Sequence, residues 1–271
     1  MTSAIASNCL SALANTRKRY YLQLANQIYS TSKFINMNTS IKTALAAIGL
    51  VFAFACKKEN INRQPSLTAN DASDMIAGKY PHVTIGTQVW MTKNLAVTHY
   101  RNGDKIPQIT FRARWDTLTT GAWCWYNNDS SNDAVYGKLY NWYAVNDPRG
   151  LAPTGWHVPT TLEWDSLSAY LATNVGGKMK DTGTIEAGTG LWHAPNQNAN
   201  NRSGFTGLPG GNRFGSGTLG YSNIGYYGSW WSSTPYDAAD AFFRQLAFFD
   251  GHFEPARYYK QSGLSVRCIK D

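Results

Sequence analysis

Acidic residues are missing from the N-terminal part of the sequence, and this absence changes how the charge of the whole chain is interpreted. Residues 1–55 contain neither aspartate nor glutamate. Their basic residues are Arg17, Lys18, Arg19, Lys33 and Lys42. The rest of the chain holds 20 of the 25 basic side chains against all 17 acidic ones, a net charge of about +3 instead of +8. The isoelectric point of about 9.3 therefore derives mainly from this segment, which removes the main support for nucleic acid as a partner.

Sequence patterns that mark enzymes are also missing. Neither a phosphate-binding loop nor a nucleophile elbow occurs, and the histidines lack metal-ligand spacing. These histidines are His82, His99, His157, His193 and His252. Of these, His157 is better explained as a hydrogen-bonded core residue. We therefore predict no catalytic residue, no metal ligand and no cofactor, and we expect that the chain is not an enzyme.

One polar segment contains side chains that could bind a calcium ion. Asn127, Asn128, Asp129 and Asp133 offer the oxygen ligands that calcium prefers. A polar turn in front of a helix explains the same four residues. The sequence therefore gives no positive argument for a calcium site.

An apolar segment near the N-terminus has the length of a secretion signal. Residues 43–54 follow a short basic segment that begins at Met37, and they are too few to span a bilayer comfortably. They lead into Ala53-Phe54-Ala55-Cys56, which resembles the lipobox of bacterial lipoproteins, where the cysteine is diacylated and becomes the mature N-terminus. We predict a signal peptide over residues 37–55 and lipidation at Cys56. The alternative is a buried helix or a plain transmembrane anchor with an incidental cysteine.

The segments around this signal are interpreted from its position. Residues 1–36 are expected to be an upstream extension from a start codon assigned too early, with an organellar transit peptide as the alternative. Residues 56–77 are polar and are interpreted as the acylated cysteine and a flexible tether. Two acyl chains suffice for stable anchoring, so we expect a location in the cell envelope, on the outer membrane, with surface exposure as one option. A single folded domain is expected over residues 78–271.

Hydrophobic patterns within residues 78–271 predict an α+β fold. A β-hairpin is expected from residues 83–91, with Gly86-Thr87 as its turn. A helix is expected over residues 136–146 and another over residues 161–173, where Thr160 and Glu163 form a capping box. Further strands are expected over residues 229–233, 241–249, 252–254 and 264–269. Residues 174–228 are interpreted as a long glycine- and asparagine-rich loop region.

Six ordered motifs span essentially the whole expected domain. They are Gln88-Val89-Trp90-Met91-x-x-Asn94-Leu95, Tyr136-Gly137-Lys138-Leu139-Tyr140-Asn141-Trp142, Pro153-x-Gly155-Trp156-His157-Val158-Pro159, Gly204-Phe205-x-x-Leu208-Pro209-Gly210-Gly211, Trp230-Trp231-Ser232-Ser233-Thr234 and Ser265-Val266-Arg267-Cys268. In order and spacing they resemble the Fibrobacter succinogenes major paralogous domain, which is common in surface lipoproteins of Bacteroidetes and Fibrobacteres. The resemblance implies a location and a fold, and it implies no reaction.

The implied fold is similar to the superfamily of C-type lectins and formylglycine-generating enzymes. It has two helices flanking a small twisted antiparallel sheet, with a long irregular loop region. The calcium-binding sugar motifs of C-type lectins do not occur in this sequence, and reactive cysteines like those of the enzymes are not evident.

The sequence departs from the family at one cysteine. Many members carry a cysteine just before the Pro-x-Gly-Trp-His motif, expected to bond the cysteine of the last strand, but here that position is Ala152. Cys124 and Cys268 are then the only cysteines of the domain, and two cysteines of an exported protein more often pair than not. We predict a Cys124–Cys268 disulfide, with two buried free thiols as the alternative.

A binding surface is expected in and beside the long loop region. Flat aromatic faces with amide and guanidinium donors suit sugar rings, which stack on aromatics while their hydroxyls take hydrogen bonds. The candidate ligand-binding residues are Trp192, Asn212, Arg213, Tyr221, Tyr226, Tyr227, Tyr258 and Tyr259, with His193 beside them. The alternative for each one is a role in the core.

The leading hypothesis is a surface lipoprotein, held to the membrane by its lipid anchor, whose non-catalytic domain binds a glycan or a protein partner. One alternative is an enzyme related to formylglycine-generating or sulfatase-modifying proteins. Another is a structural protein of the envelope without a ligand. A deep polar pocket would favour the enzyme, and a shallow aromatic face would favour the binding protein.

Overall fold

Residues 80–215 and 220–271 are described by the structure, a computed structural model. All of them belong to one unit of the chain, Arg63–Asp271. The predicted extension 1–36, signal peptide 37–55, lipidated Cys56 and tether 56–77 lie outside the described residues. Within the described ranges, no helix has the length and apolar character needed to cross a membrane.

Short helices and strands make up a fold that is α+β with modest helix content. The helices are α1 (Arg112–Trp115), α2 (Asp133–Tyr136), α3 (Trp142–Val145), α4 (Thr161–Leu171) and α5 (Val175–Met179). The strands are β1 (His82–Ile85), β2 (Gln88–Met91), β3 (Trp123–Cys124), β4 (Leu139–Tyr140), β5 (Trp156–His157), β6 (Gly210–Arg213), β7 (Tyr221–Ile224), β8 (Tyr227–Pro235), β9 (Asp240–Ala247), β10 (Glu254–Tyr259) and β11 (Ile269–Lys270).

The strands form four small sheets instead of the single one expected. Their orders are β1-β2-β11-β5, β10-β9-β8, β3-β4 and β6-β7, and all named pairs are antiparallel. The β1-β2 hairpin confirms the prediction, and its turn residue Gly86 has a φ of 63°. Ile269 of β11 pairs with both Trp90 and His157, so the C-terminus joins the hairpin to β5.

The β8-β9-β10 sheet separates two buried hydrophobic clusters. Trp231 belongs to one cluster together with Phe243, and its neighbour Trp230 belongs to the other together with Leu246. Both indoles are fully buried. They enter different clusters because successive side chains of a strand point to opposite faces. Strands β8 and β9 therefore have buried side chains on both faces, whereas most side chains of the edge strand β10 are exposed.

Helix α4 is the longest described helix, and its start confirms the predicted capping box. The Thr160 hydroxyl accepts a hydrogen bond from the Glu163 backbone N–H, and the Glu163 carboxylate accepts one from the Thr160 backbone N–H. Its buried side chains are Trp164, Leu167 and Leu171, at helical spacing. Ala172, with a φ of 58°, ends it before the predicted residue 173.

The predicted helix over residues 136–146 is wrong. Gly137 has a φ of 71° and a ψ of −152°, so the helical path stops at Tyr136. Leu139 and Tyr140 then pair with β3, and Asn141 caps the short helix α3 by accepting a hydrogen bond from the Ala144 N–H. The apolar spacing was real, but a strand between two single-turn helices produces it.

Two other sequence predictions need correction. Residues 174–228 are not one loop, because they contain α5, β6 and β7. The expected strand over residues 264–269 is reduced to β11, because the backbone before β11 bonds three different segments. Leu264 N–H donates to Tyr140 O, and the carbonyls of Ser265, Val266 and Cys268 accept from Trp231, Leu95 and Met91.

The predicted Cys124–Cys268 disulfide is also wrong: both cysteines are free and buried. Cys124 lies opposite Leu139 in a small cluster with Trp115, whereas Cys268 lies in the large cluster that contains Met91. The two thiols therefore pack into different parts of the core. Burial raises the pKa of Cys124, and it raises the pKa of Cys268 to about 12.

Candidate functional site

Three of the predicted ligand-binding residues are buried and hold the loops together. Trp192 donates its indole N–H to Gly207 O at 3.0 Å, and Asn212 Oδ1 accepts from Asn223 at 2.7 Å. Arg213 lies over the Trp115 ring, 4.2 Å from its centroid. Because all three side chains are shielded from solvent, we leave them out of the candidate site.

Tyr221 is tied into the same internal network. Its hydroxyl accepts from Arg213 Nη1 at 2.9 Å and donates to Asn128 Oδ1 at 2.7 Å. Arg213 also donates to the backbone carbonyls of Ile109 and Thr110. This network joins the β6-β7 sheet to the segment before α1, which is a structural role.

Tyr258 and Tyr259 point in different directions from neighbouring positions of β10. Tyr258 is half-buried against Phe243 and Phe214, and burial raises its pKa to about 12. Tyr259 is 53% exposed and pairs in register with Asp240. Neither ring contacts another of the predicted tyrosines.

Five aromatic rings form a continuous surface feature. We call His193, Tyr226, Tyr227, Phe248 and Phe249 the aromatic ridge. The His193 ring stacks on Tyr226 with centroids 4.0 Å apart, and Tyr226 meets the edge of Phe248 at 5.2 Å. Phe248 contacts Phe249 at 5.3 Å, and Phe249 contacts Tyr227 at 6.2 Å. Tyr226 is 41% exposed and Phe249 is 51% exposed, so the ridge presents aromatic surface to solvent.

Strand pairing places the ridge residues side by side. Tyr227 is the first residue of β8 and Tyr226 precedes it, and Phe248 and Phe249 follow the end of β9. The two strands are antiparallel, with Tyr227 opposite Ala247, and the Phe248 N–H donates to Tyr226 O at 3.0 Å. The register therefore fixes the spacing of the four rings.

His193 is positioned by a carboxylate and a glycine. Its Nδ1 lies 2.7 Å from Glu186 Oε1, and the other oxygen of Glu186 accepts from the Ala194 N–H at 2.8 Å. Its ring covers Gly225, where a Cβ would lie 2.7 Å from His193 Cδ2. Hydrogen bonds from His193 and from backbone N–H groups lower the pKa of Glu186. The ridge thus has an ionised hydrogen-bond acceptor at its edge.

Sequence reasoning found part of this site and missed the rest. The sequence places Tyr226, Tyr227 and His193 among the aromatic candidates of the loop region. It places Phe248 and Phe249 in the predicted strand 241–249. Pairing the two predicted strands, 229–233 and 241–249, as an antiparallel hairpin is the signal that could have brought both phenylalanines to Tyr226.

His157 is the described residue that most resembles a catalytic base, but both of its ring nitrogens are occupied. Nδ1 lies 2.7 Å from Asp271 Oδ1, and Nε2 lies 2.7 Å from Glu163 Oε1. Burial disfavours the imidazolium, but these two bonds outweigh it and raise the pKa of His157. A histidine held as a cation between two carboxylates joins β5, α4 and the C-terminus and has no lone pair to accept a proton.

Lys180 is the other unusual titratable residue. It is fully buried, and its ammonium donates to the backbone carbonyls of Ala247 and Asp250 at 2.8 and 2.7 Å. Burial lowers its pKa to about 8, against an opposing effect of Asp250. Since the ammonium faces the turn after β9 and the Trp192 ring, it stabilises the segment that carries Phe248 and Phe249.

Asn128, Asp129 and Asp133, which the sequence offered as possible calcium ligands, make hydrogen bonds and an ion pair within the protein. Asp129 Oδ1 accepts from the Ser131 N–H at 2.9 Å, and the Asp133 carboxylate pairs with Lys138 at 2.9 Å. Asn128 bonds Thr110 O and Tyr221. In the part of the chain that the structure describes, no group of three or more histidine, cysteine or acidic side chains could hold a metal ion.

Comparison with known proteins gives a family. The model of the Fibrobacter succinogenes major domain matches residues 83–270, which is most of the chain and nearly all of the described residues. No curated protein and no solved structure matches the chain.

Proposed function

The chain belongs to the Fibrobacter succinogenes major domain family, and from this premise we propose that it is a surface lipoprotein whose domain binds a glycan without catalysing a reaction. The proposed binding site is the aromatic ridge. The proposed anchor is a diacylated Cys56, followed by the polar tether of residues 57–77, which holds the domain away from the outer membrane.

The exposed, connected rings of the ridge are the observation that carries this proposal. Soluble proteins bury most large aromatic rings, and a row of exposed rings marks a contact surface. The C–H faces of a sugar pack against aromatic faces, while its hydroxyls need charged or polar partners nearby. Tyr226 and Phe249 offer exposed aromatic surface, and the Glu186 carboxylate offers an acceptor beside His193.

The cysteines and the unusual titratable residues favour binding over catalysis. An enzyme related to formylglycine-generating proteins needs a reactive thiolate, but Cys124 and Cys268 are buried and burial raises the pKa of both. His157 and Lys180 have their polar atoms committed to structural partners. We extend the proposal to a kinship with the C-type-lectin-like fold, on the basis of the mixed α+β elements and long irregular segments.

A glycan array probed with the purified full chain tests the proposal. We expect reproducible binding to a limited set of glycans, unchanged when calcium is removed with a chelator, because the ridge needs no metal ion. Complete absence of binding would contradict the glycan proposal and would favour a protein partner or a structural role in the envelope.

A further inference from the structure

A polar groove lies between α4, the start of α5 and the turn that connects β9 to β10. Its volume is about 470 Å³, within the range of small-molecule sites. The residues that bear polar groups along it include Asp165, Ser168, Asn174, Arg244, His252 and Glu254. No ridge residue lines this groove, so it is a separate feature of the surface.

Arg244 is the unusual residue of this groove. Its side chain is 4% exposed, and its guanidinium lies 5.9 Å from the centre of the Phe253 ring. The guanidinium has five N–H donors, and its one hydrogen bond among the described residues goes from Nη2 to Asp165 Oδ1. A nearly buried guanidinium at a groove wall with most donors unused is suited to a second planar acceptor.

The partner that occupies Arg244 is itself at the surface. The Asp165 side chain is 58% exposed, so water can solvate its carboxylate when another acceptor replaces it on Arg244. A ligand carboxylate can then take the place of the Asp165 carboxylate and accept two parallel hydrogen bonds from the guanidinium fork. The Arg244–Asp165 ion pair thus shows the position in which Arg244 would hold a ligand carboxylate.

The other groove residues match a polyhydroxylated ligand. The Glu254 and His252 side chains are exposed, so their polar atoms are open to a ligand. Phe253 and Val175 give the groove apolar surface beside these groups. Such a mixture suits hydroxyls and C–H groups on one ring.

We propose that this groove binds a uronate, a sugar ring that carries a carboxylate, with Arg244 as the anchoring residue. Arg244 binds the carboxylate, and His252 and Glu254 contact the hydroxyls. Asp165 competes with the ligand for the guanidinium. This second site is independent of the aromatic ridge, since it requires none of the ridge residues.

Titration of the full chain with D-glucuronate, followed by ligand-observed NMR, tests this site. We expect glucuronate to bind, and D-glucose and acetate to bind at least about tenfold more weakly, because each lacks half of the recognised groups. Asp165→Asn should tighten glucuronate binding about fivefold, since it removes the competing carboxylate. Arg244→Gln should abolish binding, and Arg257→Gln, a control at an exposed arginine of β10, should leave it unchanged.

Several results would overturn this assignment. Glucuronate binding that is absent in both the wild type and Asp165→Asn would exclude the site, and this comparison does not depend on Arg244→Gln being folded. Equal binding of acetate and glucuronate would exclude the sugar. Binding that Asp165→Asn weakens would show that Asp165 is not a competitor. None of these results depends on Tyr226, so they leave the array test of the ridge intact.

Discussion

At the scale of single residues, His157 lies between two carboxylates and joins three segments of the chain. It lies on β5. Its Nε2 contacts the Glu163 carboxylate of α4, and its Nδ1 contacts the Asp271 carboxylate at the C-terminus. Partial burial would raise the pKa of Glu163, but the Thr160 backbone N–H and His157 outweigh it and lower that pKa. Folding therefore favours the charged forms of His157 and Glu163.

This arrangement predicts how the effect of removing His157 varies with pH. A folded-state pKa above the unfolded value of about 6.5 gives stability that is present below that value and is lost as pH rises through the raised pKa. The lowered pKa of Glu163 gives stability that is present above about pH 4.5 and is lost as pH falls through the lowered value. We expect His157→Gln to lower the free energy of unfolding most near about pH 6 and less near about pH 9.

Denaturant unfolding of wild type and His157→Gln at several pH values measures this difference. Asp271→Asn removes only one of the two carboxylates, so it should give a smaller change in the same direction. A difference between wild type and His157→Gln that stays constant from about pH 6 to about pH 9 would contradict the charged state assigned here.

At the scale of elements, single glycines decide where the short helices and strands meet. Gly137 ends α2 with a backbone conformation that other residues rarely adopt, and a Cβ at this position would lie 2.8 Å from Leu95 O. Gly188 has a similar φ of 65°, but a Cβ there would meet nothing within 4 Å. Comparing substitutions at Gly137 and Gly188 therefore distinguishes the cost of backbone strain from the cost of a steric contact.

We expect Gly137→Ala to destabilise the protein by about 2–4 kcal/mol, because strain and contact act together. Gly188→Ala should cost about 1 kcal/mol, since only the strain remains. Thermal unfolding of the two variants compares them directly, at roughly 2–4 °C per kcal/mol for a domain of this size. Equal losses would show that the segment around Gly137 relaxes away from Leu95.

Elements with a local cause were predictable from the sequence, and elements with a distant cause were not. The α4 capping box and the β1-β2 hairpin depend on residues within a few positions of each other, and both predictions are confirmed. The 136–146 helix failed because Leu139 and Tyr140 pair with β3, which lies outside the window that a periodic pattern samples. The strand predicted over residues 264–269 is wrong for residues 264–268, because their backbone partners lie in three separate segments.

Over the whole molecule, buried cations replace much of the regular hydrogen bonding that longer elements would supply. Arg267 is fully buried, and its guanidinium donates to Met91 O, Phe205 O and Asn94 Oδ1. Arg213 and Lys180 likewise donate to backbone carbonyls of other segments. Carbonyls of irregular backbone need donors when they are buried, and long cationic side chains provide them.

Free thiols in the core predict a protein that is insensitive to reductant. We expect the midpoint of thermal unfolding to be the same with and without a reductant, because neither Cys124 nor Cys268 is oxidised. Alkylation should modify both thiols only after unfolding, because burial raises the pKa of each. Mass spectrometry of a proteolytic digest checks this. Detection of two peptides joined through Cys124 and Cys268 would contradict the structure.

The candidate site was only partly predictable because exposure depends on the whole fold. Arg213 and Tyr226 both belong to the same glycine-rich region, yet one is buried among Trp115 and Tyr221 and the other is exposed. Nothing in the local sequence distinguishes them. The ridge emerges only when the β8-β9 register brings Phe248 and Phe249 beside Tyr226 and Tyr227.

The most direct test of the ridge compares two exposed tyrosines of the same chain. Tyr226→Ala removes a ring that contacts both His193 and Phe248 of the ridge, and Tyr259→Ala removes a ring of similar exposure from outside it. By calorimetric titration with the best glycan from the array, we expect Tyr226→Ala to raise the dissociation constant about tenfold, the loss of one stacked ring. Tyr259→Ala should leave the dissociation constant unchanged. Equal dissociation constants for the two variants, or a loss confined to Tyr259→Ala, would contradict the assignment of the aromatic ridge as the binding site.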